Sequence, residues 1–235
     1  MRAAGLATAV VPQKTLDELI AHRSGLLVAY QNEDYARRYR DVIGRVRNRE
    51  GAVCPGSTDL TEAVARYLYK LMAYKDEYEV ARLYTDGAFL QKLGETFEGD
   101  FQLTFHLAPP IFNRGLDALG RPRKTSFGPW MMAAFKLLAR FRGLRGTVLD
   151  PFGWFAERKE ERGLIDDYRS LVEELITGLT ADNHAIAVAC ASLPDQLRGY
   201  GPVKAESIRQ YRELRAAQLH RFQNPSSVVQ IQEVA

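Results

Sequence analysis

Apolar side chains recur every three or four residues along most of this chain, which is the spacing of one face of an α-helix. The clearest stretch runs from Leu164 to Leu179, where leucine, isoleucine, valine and tyrosine side chains share one side of a helix. A chain of 235 residues is long enough to bury a real core in one large domain or two small ones. No run of eighteen apolar residues occurs, so the sequence predicts no membrane-spanning helix. We therefore expect a mainly α fold, with about seven or eight helices and one minor β-hairpin.

Polar residues, glycine and proline indicate where these helices begin and end. Thr15 followed by Glu18 has the spacing of a capping box, and the two helices of 15–50 read as an antiparallel hairpin. Glycine and proline in 51–57 predict a loop there. A long helical stretch is then expected from Thr58 or Asp59 to Tyr84, with later helix starts at Asp150-Pro151, Thr180 and Pro202.

Residues 100–107 alternate between polar and apolar side chains, which is the pattern of a half-buried β-strand. The inward-facing residues are expected to be Phe101, Leu103, Phe105 and Leu107. The segment 123–127 is the best local partner for a hairpin. His106 lies on the polar side of the strand, where an exposed histidine is normal.

Residues typical of catalytic and metal sites are sparse and scattered. The two cysteines, Cys54 and Cys190, are too few for an all-cysteine zinc site or an iron–sulfur cluster. They also provide no disulfide framework, which favours a cytoplasmic location. The apolar neighbours of Cys190 indicate a core position, and the histidines do not stand at metal-ligand spacing. No phosphate-binding P-loop motif is present, so we assign no catalytic, cofactor-binding or metal-binding residue.

Basic residues are concentrated in one segment, 118–149, which contains no aspartate or glutamate. The whole chain has a formal net charge of only +3, so this segment stands out from an otherwise balanced composition. Such a segment can attract an acidic partner or hold phosphate. It is accompanied by no nucleic-acid-binding motif, and we expect no nucleic acid partner. Its seven members are Arg121, Arg123, Lys124, Lys136, Arg140, Arg142 and Arg145.

A second candidate anion site is the turn Gly199-Tyr-Gly201, which precedes the helix start at Pro202. Backbone amides at a helix start can bind an anion, and Arg198 and Lys204 would supply positive charge. The alternative is a tight turn that uses glycine only for its backbone freedom.

Several long and uncommon stretches between residues 66 and 204 resemble one known family. The stretches are Arg66-Tyr-Leu-Tyr-Lys-Leu-Met-Ala-Tyr-Lys-Asp-Glu-Tyr78, Phe97-Glu-Gly-Asp-Phe101, Phe105-His-Leu-Ala-Pro-Pro110, Gly120-Arg-Pro-Arg-Lys124, Phe127-Gly-Pro-Trp-Met131, Leu144-Arg-Gly-Thr147, Asp150-Pro-Phe-Gly153 and Arg198-Gly-Tyr-Gly-Pro-Val-Lys204. They are similar to the carboxy-terminal region of indolepyruvate:ferredoxin oxidoreductase and related fused 2-oxoacid:ferredoxin oxidoreductases. The resemblance covers roughly residues 15–222 and marks this chain as the accessory carboxy-terminal domain of such an enzyme.

The resemblance implies a parent enzyme with thiamine diphosphate, magnesium and [4Fe–4S] clusters. None of these groups is expected in this chain, because the Gly-Asp-Gly thiamine motif, its paired asparagines and the cysteine-rich ferredoxin motif are all missing. The chain is then either a fragment or a separately encoded subunit, with the catalytic domains or subunits, and ferredoxin, as expected partners. Its expected organisation is a leader (1–14), a helical hairpin (15–50), a carboxy-terminal helical domain (51–222) and a frayed tail (223–235).

Three functions remain open from the sequence. The chain could be an interaction domain whose basic segment meets an acidic partner, or it could contribute to coenzyme A or phosphate binding through the basic segment and the Gly199–Lys204 turn. It could also be an inactive fragment with a purely structural role.

Overall fold

The computed structural model describes residues 15–99, 102–107, 115 and 123–224. Within those residues the chain forms nine α-helices and one two-stranded antiparallel sheet, which confirms the expected mainly α fold with one hairpin. The elements are α1 (Leu16–Tyr30), α2 (Glu33–Val53), α3 (Asp59–Met72), α4 (Glu77–Thr85), α5 (Ala88–Thr96), β1 (Phe105–Leu107), β2 (Thr125–Phe127), α6 (Met131–Arg140), α7 (Ala156–Gly178), α8 (His184–Ser192) and α9 (Pro202–Gln223). Short 3₁₀ turns follow α6 at Phe141–Leu144 and α8 at Leu193–Gln196.

The larger hydrophobic core lies between α1, α2, α3, α7, α8 and α9. Tyrosines are among its fully buried side chains, and two of their hydroxyls donate to backbone acceptors, whereas the Tyr211 hydroxyl has no hydrogen-bond partner among the described residues. Tyr39 donates to the Ala65 carbonyl at 2.9 Å, and Tyr168 donates to the Ala191 carbonyl at 2.7 Å. The α1–α2 hairpin therefore shares one core with the helices that follow it.

A smaller aromatic core joins α4, α6 and the β-hairpin. The Tyr84 ring stacks on Phe135 with 5.2 Å between ring centroids, and Phe105 meets both rings edge-on. In the hairpin, Phe105 pairs with Phe127 and His106 with Ser126, which confirms the expected antiparallel pairing. The β1 strand is shorter than the expected 100–107, and residues 100 and 101 lie outside the described residues.

The helix starts at Thr15 and Pro202 are confirmed, the first with a complete capping box to Glu18. The loop expected at 51–57 begins late, because α2 continues to Val53. The single helix expected up to Tyr84 is wrong: it breaks at residues 73–76 into α3 and α4. The break allows Asp76 to cap α4 and to turn its carboxylate towards a buried arginine, described below.

Two later expectations are also corrected. Asp150-Pro151 does not start a helix, since α7 begins at Ala156. Asp150 is instead buried and accepts hydrogen bonds from the backbone N–H groups of Gly146 and Phe152. Thr180 lies before α8, which begins at His184, and its hydroxyl accepts from the Asn183 N–H. The expected leader 1–14 and the tail from residue 225 onwards lie outside the described residues.

Candidate functional site

Helix α6 presents apolar side chains on two opposite sides. The inner side, with Met131 and Phe135, is buried against α4 in the smaller core. On the outer side Trp130, Leu137 and Phe141 follow one another at intervals of seven and four residues, which places them on one stripe of the helix surface. These side chains are 62%, 57% and 48% exposed, so the stripe faces solvent rather than the core.

Basic side chains border this stripe. Lys136 and Arg140 are exposed and lie on one flank of it, four residues apart on α6. We call the surface formed by Trp130, Leu137, Phe141, Lys136 and Arg140 the α6 face. Neither basic side chain makes a hydrogen bond or an ion pair within the described part of the chain.

Helix α6 packs on α4, and both glutamates of α4 are already paired with arginines. In α4, Glu77 pairs with Arg158 at 2.9 Å, and Glu79 pairs with Arg82 at 2.8 Å. By contrast, the exposed Arg209 on α9 has two carboxylates beside it, on Glu206 and Glu213. The positive charge of the α6 face is thus left uncompensated by described residues. An apolar centre with unpaired cations at its edge is suited to an acidic protein partner.

The structure divides the seven basic residues of the sequence segment. Lys124 is exposed and Arg142 half-buried, and neither has a carboxylate partner among residues 15–99, 102–107, 115 and 123–224. Arg123 is exposed, with its backbone N–H bonded to the Gly115 carbonyl at 3.1 Å. Arg121 lies outside the described residues.

Arg145 does not belong to this surface, which corrects its grouping with the other basic residues. Its side chain is 2% exposed and forms two bonds to the Asp76 carboxylate, with Nε–Oδ2 at 2.5 Å and Nη2–Oδ1 at 2.8 Å. Its Nη1 donates to the Tyr30 carbonyl at 2.5 Å, and the guanidinium carbon lies 3.6 Å from the centroid of the Tyr30 ring. Burial would lower the pKa of Arg145, but the Asp76 carboxylate outweighs it and raises the pKa. Arg145 therefore joins α1, the start of α4 and the loop after α6.

The Gly199–Lys204 turn has the backbone that requires glycine. Gly199 has a φ of +88°, and a Cβ there would lie 2.6 Å from the Val203 Cγ1 atom. The turn borders a cleft of about 320 Å³ that also contains Lys70, Lys75 and Arg158.

Carboxylates neutralise most of the positive charge of this cleft. Lys204 pairs with Glu161, and Arg198 lies 3.5 Å from an Asp195 oxygen. Arg158 is held by Glu77 on α4. The two basic residues predicted here are therefore brought together with the turn, but each faces an acidic partner.

A buried glutamate and a histidine form a cluster that the sequence pattern did not indicate. Glu50, at the end of α2, is 1% exposed and accepts from the backbone N–H groups of Leu60 and Thr61, both at 2.8 Å. His184 Nε2 lies 2.7 Å from Glu50 Oε1, the oxygen that also accepts from the Leu60 N–H. Burial would raise the pKa of Glu50, but hydrogen bonds from Thr61 and His184 lower it below its ordinary value. These contacts identify Glu50 as the cap of α3 and the link to α8.

The other candidate residues of the sequence are accounted for structurally. Cys190 is fully buried, and burial raises the pKa of its thiol to about 11, which confirms it as a core residue. His106 is exposed and its Nδ1 lies 3.0 Å from the Ser126 hydroxyl. The described residues contain no group of three or more histidine, cysteine, aspartate or glutamate side chains able to hold a metal ion. In the same part of the chain, every helix is too short or too polar to cross a bilayer.

A protein-family model described as a family of unknown function, DUF6537, matches residues 16–217. The chain belongs to this family. The match extends from the first residue of α1 into α9, so it includes the α6 face, the Arg145–Asp76 pair and the Gly199–Lys204 turn. Comparison with curated proteins and with solved structures gives no significant match.

Proposed function

We propose that this chain is an accessory interaction domain of a thiamine-dependent indolepyruvate (aryl-2-oxoacid):ferredoxin oxidoreductase, and that the α6 face attaches it to an acidic protein surface of that system. The resemblance of residues 66–204 supports the choice of enzyme. The thiamine diphosphate, magnesium and [4Fe–4S] clusters would then be held by the partner polypeptides. The partner at the α6 face would be a catalytic subunit or the ferredoxin.

The observation that carries the proposal is the unpaired charge beside an exposed apolar stripe on α6. Exposing Trp130, Leu137 and Phe141 to water gains nothing for the isolated chain, whereas burying them in an interface is favourable at about 25 cal/mol per Å² of apolar area. Lys136 and Arg140 would guide an acidic surface to the stripe and orient it. Weak electron-transfer partners typically use such small, charge-guided contacts.

The alternative of coenzyme A or phosphate binding at the Gly199–Lys204 turn has weaker support. Its cleft contains Glu157, Glu160 and Glu161 beside its basic residues, which lowers the potential that a polyanion would meet. Lys136 and Arg140 of the α6 face, by contrast, make no ion pair within the described structure. The docking function is accordingly the one that the charge distribution favours.

The first experiment is affinity capture of the tagged chain from its own cells, with mass spectrometry of the captured proteins. Wild type is compared with the variants Lys136→Glu/Arg140→Glu and Leu137→Asp. The control is Arg209→Glu/Arg212→Glu, which makes the same change of net charge on α9. All four proteins are first checked for equal thermal stability.

Recovery of thiamine-enzyme subunits or ferredoxin by wild type and control, but not by the α6 variants, is the expected result. Raising the salt concentration should weaken the capture, because exposed charges are screened beyond about 8 Å at physiological ionic strength. Equal recovery by all four proteins would contradict docking through α6. Recovery of no oxidoreductase component would contradict the assignment and favour the purely structural alternative.

A further inference from the structure

A separate pocket of about 190 Å³ opens between the start of α2, the end of α3 and the first half of α7. Four arginines line it, whereas Asp166 is the one acidic residue in its lining. Arg145 is among the four, but its charge is already matched by the buried Asp76. Of the other three arginines, Arg38 has no carboxylate beside it, whereas Arg162 and Arg169 each lie 3.8 Å from one, on Asp150 and Asp166. The four arginines therefore outnumber the three carboxylates beside them.

These three guanidiniums make few of the hydrogen bonds available to them. Arg38 makes no hydrogen bond or ion pair within the described structure. Arg169 lies 3.8 Å from its nearest partner oxygen, on Asp166, which is beyond hydrogen-bond distance. Arg162 donates from Nη2 to the Gly153 carbonyl at 2.5 Å. Its buried Nη1 lies 3.8 Å from Asp150 Oδ2, beyond hydrogen-bond distance, and has no hydrogen-bond acceptor in the part of the chain described. A guanidinium presents five N–H donors in a planar fork that matches a carboxylate or phosphate group.

Most of the remaining wall of the pocket is apolar and aromatic, with Gln31 as its uncharged polar member. Leu68, Met72 and Tyr74 are buried side chains of the core that reach the pocket, and Tyr35 and Ile165 complete its sides. The Tyr35 hydroxyl is occupied by a hydrogen bond to the Met72 carbonyl at 3.0 Å, so this ring presents its apolar surface. Burial, together with the nearby Asp76 charge, raises the pKa of Tyr74 to about 12, and the phenol stays neutral at physiological pH.

We propose that this pocket binds a small organic acid, with its carboxylate on Arg38, Arg162 and Arg169 and its apolar body against the Tyr35, Met72 and Ile165 side. A pocket with arginines at its rim and apolar side chains at its floor favours a ligand that has both a carboxylate and an apolar body. Inorganic phosphate would leave the apolar walls uncovered, and a neutral aromatic molecule would leave the guanidinium forks unpaired. This inference does not rest on docking through the α6 face, since the two sites share no residue.

The test uses the full chain and isothermal titration with benzoate, its neutral counterpart benzamide, and inorganic phosphate. Two pocket variants, Arg38→Gln and Arg169→Gln, are compared with Arg37→Gln as a matched control. Arg37 is the exposed neighbour of Arg38 on α2, pairs with Asp34, and does not line the pocket. Arg38 and Arg169 are exposed, and their replacement removes no hydrogen bond within the described structure, so the variants should fold normally.

Saturable one-to-one binding of benzoate is expected, at least tenfold tighter than that of benzamide or phosphate. Each pocket variant should weaken it at least fivefold, whereas Arg37→Gln should leave it unchanged. Absence of saturable benzoate binding would overturn the proposal, as would equal binding of benzamide. Phosphate binding as tight as that of benzoate would overturn the organic-acid assignment, and equal affinity in all variants would place any bound benzoate elsewhere.

Discussion

The buried pair between Arg145 and Asp76 predicts a large loss of stability when one partner alone is neutralised. Both side chains are almost fully buried, at 2% and 3% exposure. The change Asp76→Asn keeps an oxygen that can still cap α4, as Asp76 Oδ1 now does for the Glu79 N–H at 2.9 Å. It leaves the Arg145 charge in the core without a counter-charge.

The expected cost follows from what remains unpaired. Removing one partner of a buried ion pair costs about 3–5 kcal/mol, because the other charge stays in a medium that solvates it poorly. We expect Asp76→Asn to lie near the lower limit of this range, at about 3 kcal/mol of lost stability. The asparagine still caps α4, and the Tyr30 ring lies 3.6 Å from the guanidinium and partly stabilises its charge. In the double variant Arg145→Met/Asp76→Asn no unpaired charge remains, so the loss should fall to about 1–2 kcal/mol.

Chemical denaturation of both variants and the wild type measures these free energies of unfolding. Arg209→Met is the exposed control: its side chain is 60% exposed on α9, and its loss should cost far less stability than Asp76→Asn. If Asp76→Asn cost no more than this control, the pair would not be buried as described. A double variant less stable than the single one would likewise contradict the charge-based explanation.

Three further predictions concern Glu50, the glycine turn and the cysteines. The folded-state pKa of Glu50 lies below its ordinary value of 4.5, so the stabilisation from Glu50 is present above pH 4.5 and is lost as the pH falls through the lowered pKa. Glu50→Gln should cost about 1–3 kcal/mol at pH 7 and should flatten the acid dependence of stability, measured by denaturation from pH 7 to pH 3. An unchanged acid dependence would contradict the capping role of Glu50. Gly199→Ala should lower the thermal midpoint more than Gly201→Ala, because both have positive φ but only Gly199 lacks room for a Cβ, and equal midpoints would show that the turn relaxes freely. A thiol reagent should modify the half-buried Cys54 in the native protein and reach Cys190, whose pKa is about 11, only after denaturation; equal rates would refute burial of Cys190.

Local sequence signals were sufficient for much of the fold. The capping box at Thr15, the proline start of α9 at Pro202 and the alternation around Phe105 each depend on residues within a few positions of one another. Such signals cannot predict a backbone conformation that is set by contacts with residues distant in sequence. The break before α4 and the non-helical turn at Asp150 both arise because an aspartate is drawn into the core by residues far away in sequence.

In the candidate site, too, local sequence signals identified some features, whereas others depend on contacts between residues distant in sequence. Counting basic residues found the segment that contains Lys136 and Arg140, but it could not separate them from Arg145, whose carboxylate partner lies 69 residues away. Spacing alone does not separate the outer apolar stripe of α6 from its inner side, because Met131, Phe135, Leu138 and Phe141 recur every three or four residues, as a single apolar face would. Only the tertiary contacts of α4 and α6 show which side of that helix is left open.

Direct binding to the purified partner tests docking through α6 most directly. Ferredoxin and the catalytic subunits are each titrated with the wild-type chain and with Lys136→Glu/Arg140→Glu, at low and at high salt. The proposal predicts that one of these partners binds the wild type, that binding weakens as salt rises, and that the variant binds at least about tenfold more weakly, a difference of about 1.4 kcal/mol. Binding that is equally strong for both proteins and unaffected by salt would contradict a docking role for the α6 face.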